Sequence, residues 1–510
     1  QLKVPVERFL LYGSAEYDIN DKLTGYFLGN FASTQSESRI GSVFEIPPFT
    51  NDIPLDNPFV TDEVRDLHLA AGQDSVQIIR SNVELGPRGT DGDRRQFQMA
   101  VGAKGDLGDW GGTTNWSYDT HFQYGSTLVT IVRLNDLFQN RFVQALDAVV
   151  DPSDNQIKCR SVVEGTAQDP GCVPINLLQS GASLTPAAQT FVRIPDPTET
   201  AELEQFVASG TLTGNLFDPF GAGEIGVAVG GEWRQESSSF TPAATQAGTP
   251  RGLTGFIPAR QGPGGSVTSS PGGGLGFFNS TRRAVSGKFT VYEFFGETLV
   301  PVLKDLPFAH QLNVEAAVRY ANYSTAGSAT SWKFGGDWSP TPDIRFRGVR
   351  SRAVRAPNVG ELFSPGTEGF VTVDDPCDVD FVSGGTASRA ANCAALGISQ
   401  PFESNARTIN IRTAFSGNPD LEVEVANTWT VGAVLTPQAL PNFSMTVDYY
   451  SIKINGAINS LGTQQVLDSC VDLASTDNVF CQNITRDAAG NLLLVQTRDI
   501  NVSSFTREGI

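Results

Sequence analysis

The chain lacks any stretch approaching the roughly 18 consecutive apolar residues of a membrane-spanning helix, although 40% of its 510 residues are hydrophobic. A membrane protein built without such a run can only be a closed β-barrel, because lipid offers the backbone no hydrogen-bond partners. Histidine is nearly missing: His68, His121 and His310 are far apart and have no metal-ligand spacing, which argues against a site built on imidazoles. No Gly-x-Ser-x-Gly elbow occurs, so the common nucleophile motif is absent. Positive charge is scarce. A net charge of -19 leaves no basic field to meet phosphates and disfavours nucleic acid as a partner. Among the cations Arg greatly outnumbers Lys, which suits forked contacts inside a structure better than a Lys-studded soluble surface.

Other features are present but weak. Gly221-x-Gly223-x-x-Gly226 has dinucleotide-binding spacing, yet that fingerprint needs a preceding strand, a following helix and an acidic residue about 20 positions on. Here a strand pattern follows, and no Asp or Glu occurs between Glu236 and Glu293. The glycines are read as a turn. The six cysteines fall as local pairs, Cys159 with Cys172, Cys377 with Cys393 and Cys470 with Cys481, without a Cys-x-x-Cys site. In short polar loops they read as three disulfides of an oxidising compartment, each tethering a mobile outer segment. Asp374, Asp375, Asp378 and Asp380 cluster beside one pair; they are weak candidates for a hard cation, with a solvated acidic loop as the plainer reading. No cofactor is implied.

Alternation is the dominant periodicity. Leu312, Val314, Ala316, Val318 and Tyr320 oppose Asn313, Glu315, Ala317 and Arg319; Val227, Val229 and Trp233 oppose Ala228, Glu232 and Arg234. A soluble sandwich gives the same pattern as a transmembrane barrel, so alternation alone does not choose. Connection lengths do. Short turns at Asn20-Asp21-Lys22, Gly105 to Gly111, Phe220 to Gly223, Lys304 to His310, Ser339 to Asp343 and Pro437 to Asn442 interleave with long connections near 37–77, 129–200, 241–283, 354–423 and 460–490. Structureless loops this long are uncommon in compact domains, whereas a barrel with short periplasmic turns and long extracellular loops has this rhythm. The expectation is an all-β antiparallel barrel wall of about 14 strands. Trp110, Phe220, Phe308, Trp338 and Phe443 beside the short turns fit an interfacial girdle.

Several local expectations follow. The parity switch between Tyr449 and Tyr450, and another beyond Gly348-Val349, suggest β-bulges. Arg345, Arg347, Arg350, Arg352 and Arg355 crowd one strand and its exit. Because Arg toward lipid costs roughly 2–4 kcal/mol at the midplane, that row is expected to face the lumen, as are Arg319, Glu232 and Arg234. Residues 132–150 carry helical spacing and suggest a short helix packed on a loop. Residues 248–280, rich in Gly, Pro and Ser, read as a mobile outer loop.

Two segments sharpen this reading. Arg355-Ala356-Pro357-Asn358-Val359-Gly360-Glu361-Leu362-Phe363 and Gly417-Asn418-Pro419-Asp420-Leu421-Glu422 each join a strand to a turned loop. Both resemble the barrel signature of TonB-dependent outer-membrane receptors, proteobacterial type. Arg8 to Thr34, Glu84 to Leu107, Cys159 to Leu178, Val229 to Arg234 and Val447 to Ile452 are similar to further family segments. The resemblance implies active uptake of a bulky nutrient (siderophore, oligosaccharide, cobalamin or peptide) across the outer membrane of a Gram-negative bacterium. It implies no enzyme activity. The implied partners are TonB with ExbB and ExbD, reached through an N-terminal region, and the surrounding lipid and lipopolysaccharide.

The family barrel has 22 strands behind a signal peptide and a plug. Residues 1–510 are therefore expected to be a partial barrel without the plug and the terminal strands, with residues 8–18 and 493–508 as open edges. A passive unplugged porin and a secreted β-rich carbohydrate-binding or adhesin protein stay open as alternatives.

Overall fold

The computed structural model describes residues 3–42, 44–45, 52–78, 80–167, 170–178, 184–195, 197–243, 284–364, 367–502 and 504–509. Thirteen strands form one sheet: β1 Val6–Asn20, β2 Leu23–Arg39, β3 Gly89–Trp110, β4 Thr113–Leu134, β5 Thr198–Asn215, β6 Gly226–Thr241, β7 Val285–Leu306, β8 Ala309–Tyr323, β9 Gly327–Thr341, β10 Ile344–Arg355, β11 Glu424–Leu435, β12 Met445–Asn455 and β13 Phe505–Gly509. Each pairs with its successor, so the sheet is up-and-down throughout. One end carries the short connections 21–22, 111–112, 216–225, 307–308, 342–343 and 436–444. The other carries 40–88, 135–197, 242–284, 356–423 and 456–504, with only 324–326 short. At the β3–β4 turn Gly111 (φ +62°) and Gly112 (φ +84°) take the left-handed conformations that a two-residue hairpin needs.

The two faces of this sheet differ chemically. Val229, Phe294, Val318, Phe334 and Val431 share one face, and all are between 49% and 66% exposed. A sandwich would bury these side chains against a second sheet; here nothing among the described residues covers them. Trp110 and Phe308 beside the short turns are each 81% exposed, and Phe220, Trp338 and Phe443 are exposed as well. The opposite face is polar.

The structure departs from several sequence expectations. β12 pairs with β11 without a break from Met445 to Asn455, and β10 pairs with β11 without a break from Ile344 to Arg355. Neither expected bulge exists. Tyr450, Ile452 and Ile454 therefore take the polar face, and Arg350 and Arg352 take the apolar one. Parity switched in the sequence because side-chain character changed along an unbroken ladder. β1 is one edge of the sheet, exposed along its whole length, and β13 is the other; among the described residues they do not pair. Residues Leu492–Val502, expected at that second edge, belong to a separate small sheet instead.

Four of the long connections, 40–88, 135–197, 356–423 and 456–504, are folded where described. Connections 40–88 and 135–197 share one apolar core, with Ile53, Val60 and Leu85 from the first against Leu137, Phe142, Leu146 and Val192 from the second. The expected helix near 132–150 is Gln139–Leu146, and its Phe142 and Leu146 fill that core. Connections 356–423 and 456–504 build a second cap around a sheet in which Ile411–Ser416 pairs in parallel with Leu492–Val502. Val466 and Leu467 of helix Thr463–Asp472 pack against it. Residues 248–280 lie outside the described residues.

Candidate functional site

Across the polar face, charged and amide side chains pair from strand to strand. Glu293 of β7, nearly fully buried, accepts a hydrogen bond from the Arg319 guanidinium, which also lies 3.8 Å from Glu232. Arg234 sits 3.3 Å from Glu232 and 3.1 Å from Glu236. Gln205 donates to Glu236 at 3.3 Å, and Gln123 donates to Gln205 at 3.1 Å. Asn30 donates to Gln98 at 2.9 Å, and Lys333 pairs with Glu315 at 3.0 Å. Arg347 grips Asp448 in a fork at 2.9 and 2.5 Å, and Arg345 has the same parity on β10. His121 lies here too, 3.0 Å from the Ser209 hydroxyl; His310 instead sits 3.2 Å from Asp305 at a short turn. Alternation placed these residues, because period 2 fixes the face. Arg350 shows where the reading failed: on the apolar face, it stacks 4.5 Å from the Trp429 ring.

The two signature segments meet in one joint at the long-loop end. Arg355 donates from Nε to Glu424 at 2.6 Å and from both Nη atoms to Glu361 at 3.0 and 3.1 Å. Beyond Ala356 and Pro357, Asn358 accepts from the Glu361 N–H at 2.9 Å while Glu361 accepts from the Asn358 N–H at 2.8 Å. This reciprocal cap opens the helix Val359–Phe363. The second segment closes on the first: the Asn418 N–H donates to the Glu361 carbonyl at 2.7 Å, and Gly417 N–H to the Ser364 carbonyl at 2.9 Å. A Cβ on Gly417 would stand 2.7 Å from the Ser364 nitrogen, so only glycine allows this approach. Asn418 also accepts from the Asp420 N–H at 3.0 Å across Pro419, and Leu362 and Leu421 are buried. Phe363 packs over Gly287 of β7, where a Cβ would meet its ring.

The caps hold the remaining candidates. The structure pairs Cys159–Cys172, Cys377–Cys393 and Cys470–Cys481, with Cα separations of 6.2, 5.6 and 4.6 Å. Cys159, Cys377, Cys393 and Cys470 are at most 2% exposed. These bridges staple packed cores; they do not tether mobile tips as the sequence suggested. The acidic loop is taken up by arginines. Asp375 is gripped by Arg486 at 2.6 and 2.8 Å, Asp378 by Arg407 at 2.6 and 2.5 Å, and Asp380 lies 2.7 Å from Arg407. The Arg407 guanidinium holds the Asp378 carboxyl well below the usual carboxylate range, helped by the Asp380 and Ser404 N–H groups. Asp374 faces Gln464 through its backbone. Among the described residues no group of three or more His, Cys, Asp or Glu side chains is arranged to hold a metal. In the first cap, Lys158 with Ser153 holds Asp151 down to about 2, and Arg160 joins the two connections by bridging Asp147 and Asp56. Sequence reasoning missed Arg389, Arg407 and Arg486, because cap 2 partners such as Arg486 and Asp375 lie as far as 111 residues apart.

An exposed apolar face, an ion-paired opposite face and folded connections at one end together define the wall of a membrane-spanning β-barrel. The chain belongs to the TonB-dependent receptor family: the family described as TonB dependent receptor-like, beta-barrel, matches residues 25–492. That family is one of transport receptors. A mutant of the ferric enterobactin receptor PfeA of Pseudomonas aeruginosa has a similar fold, with a TM-score of 0.51 and 12% identity over 99% of this chain and 48% of that one. The siderophore receptor PirA of Acinetobacter baumannii gives 0.47 and 13% identity over 99% of this chain and 50% of that one. The chain thus spans about half the length of these receptors. No curated protein matches it.

Proposed function

We propose that the chain forms barrel wall and outer caps of a receptor in the outer membrane of a Gram-negative bacterium. The receptor takes up a bulky nutrient, such as a siderophore, oligosaccharide, cobalamin or peptide. In the whole protein, a plug in the lumen is pulled by TonB, energised by ExbB and ExbD, and the caps form the entry. The observation that carries this reading is the two-faced sheet within its family: apolar side chains left exposed on one face, and ion pairs satisfying one another on the other. Passage through a lumen opened by a pulled plug needs no titrating catalytic group, and the polar face is built from neutralised pairs that a polar cargo can slide past.

The test is uptake in cells. A strain lacking the full receptor should lose accumulation of one labelled nutrient from a panel of these four classes. A protonophore, or loss of TonB, should abolish the same accumulation in the parent strain. Import that persists without the proton gradient would favour a passive porin. Recovery of the protein in the soluble extracellular fraction would favour the adhesin.

A further inference from the structure

The polar face carries a pocket of about 380 Å³ where the signature joint overhangs strands β3 to β6. Its floor is two rows of directly opposed residues. Gln98, Gly125, Gln205 and Glu236 form one row. Nearer the long connections, Gln96, Thr127, Leu203 and Ser238 form the other. That second row continues onto β7 at Gly287, the residue that Phe363 covers. Asn358, Val359 and Gly360, at the start of the signature helix, close the pocket from above. Four strands at their ordinary spacing span about 14 Å, and two rows about 7 Å, a floor on the scale of a six-membered ring with its substituents.

The lining is rich in hydrogen-bonding groups and poor in free charge. No Lys, Arg or His is among the described residues that line it. Glu236 is already met by the Arg234 guanidinium at 3.1 Å and the Gln205 amide at 3.3 Å. Glu204 points to the opposite face, where the Tyr124 hydroxyl donates to it at 2.9 Å. What stays unused is neutral. Among the described residues, the Gln96 amide and the Thr127 and Ser238 hydroxyls have no hydrogen-bond partner. Gln98 and Asn358 are engaged only through their oxygens, which accept from Asn30 and from the Glu361 N–H, each at 2.9 Å. Donors and acceptors are thus interspersed, which suits hydroxyls, because each hydroxyl both donates and accepts. An anion would meet no cation here, and a cation no unpaired carboxylate. Leu203 and Val359 add apolar surface for the C–H groups of a ring.

We propose that this pocket is a cargo-contact site for a neutral, hydroxyl-rich ring, with the signature helix as its roof and Gly125 setting its depth. The signature joint then has a role in selection as well as in holding the second cap. The inference rests on the receptor reading above and narrows its cargo.

The test uses the full-length receptor in detergent, with bound ligand read by saturation-transfer NMR. The probes are glucose, galactose, mannose and N-acetylglucosamine, with glucose 6-phosphate and glucosamine as charged counterparts. At least one neutral sugar should receive saturation from wild type, and both charged probes clearly less. Gly125→Leu should abolish the transfer. The nearest atom to an added Cβ there is the Phe97 carbonyl oxygen at 3.9 Å, so the side chain grows into the pocket and heat-modifiable gel mobility should stay normal. Gln96→Met should weaken binding about fivefold, the loss expected for one neutral hydrogen bond. No transfer to any neutral sugar, equal transfer to the charged probes, or equal transfer by both variants would overturn the site. So would protection of a Thr127→Cys thiol from a small neutral maleimide, which would put the receptor's own plug in the pocket. TonB-dependent uptake of a nutrient alongside any of these results would leave the receptor reading standing and remove only the site.

Discussion

Replacing Arg486 with Met separates the second cap from the wall most cleanly. The Asp375 side chain is fully excluded from solvent and Arg486 is 12% exposed. The carboxylate accepts two bonds from Arg486, at 2.6 and 2.8 Å, one from the Ser404 hydroxyl at 2.9 Å and one from the Cys377 N–H at 3.0 Å. Arg486→Met leaves that charge buried with only the two neutral donors. Breaking a buried pair on one side costs about 3–5 kcal/mol. The surviving donors argue for the lower end, about 3 kcal/mol, or roughly a hundredfold in the opening equilibrium. Because Ile411–Ser416 and Leu492–Val502 pair in parallel, strands from both connections should open together. Hydrogen exchange on the full-length receptor in detergent should show faster amides in both strands and no change around Phe142 in the first cap. The double variant with Asp375→Asn removes the buried charge and should recover at least half of the lost protection. Faster exchange confined to Ile484–Arg486, or no change, would refute the reasoning.

Gly417→Ala should destabilise the signature joint by about 2 kcal/mol through overpacking against Ser364, read as a lower denaturant midpoint; an unchanged midpoint would mean the joint has slack. Val318→Arg, on the exposed apolar face midway along β8, should cost about 2–4 kcal/mol in refolding into phosphatidylcholine vesicles. Ala317→Arg, paired across β7 with Glu297, should cost much less. The second cap should resist mild acid. Asp378 and Asp472, lowered by Arg407 and Arg389 respectively, contribute stability that is full above their unfolded value of about 3.9. That contribution is lost as pH falls further, through their folded values. Cap exchange should therefore be flat from pH 8 to 5 and rise only below about 4; none of the three histidines lies in 356–423 or 456–504, so a rise near pH 6 would contradict the reasoning.

The wall was legible because each strand writes its own face at period 2, and because turn length separates the two ends. Val318 against Arg319, or Val229 against Glu232, needs no knowledge of neighbours. The caps were not legible. Their helices are short, and Asp375 with Arg486 or Asn57 with the Leu146 carbonyl meet only after two long connections converge. Reading Cys377 as a tether failed for the same reason: local spacing gives the loop closed by a bridge, not the core around it. The expected bulges failed in a different way. Polarity along β10 and β12 changes with position relative to the membrane and lumen, while the backbone ladder continues unchanged. Arg350 on the apolar face is the product, and a sequence rule that sends every Arg inward misses it.

The central claim is that the face holding Val229, Val318 and Val431 is the lipid-facing side of a transport barrel. Nitroxides attached to single cysteines at those positions, and at Ala228, Ala317 and Thr430, in the full-length receptor in bilayers would test it most directly through collision with oxygen and with a water-soluble nickel chelate. The account predicts high oxygen and low nickel accessibility at the three valine positions, and the opposite preference or shielding from both at the other three. Shielding of all three valine positions from oxygen, or the reversed pattern, would contradict it.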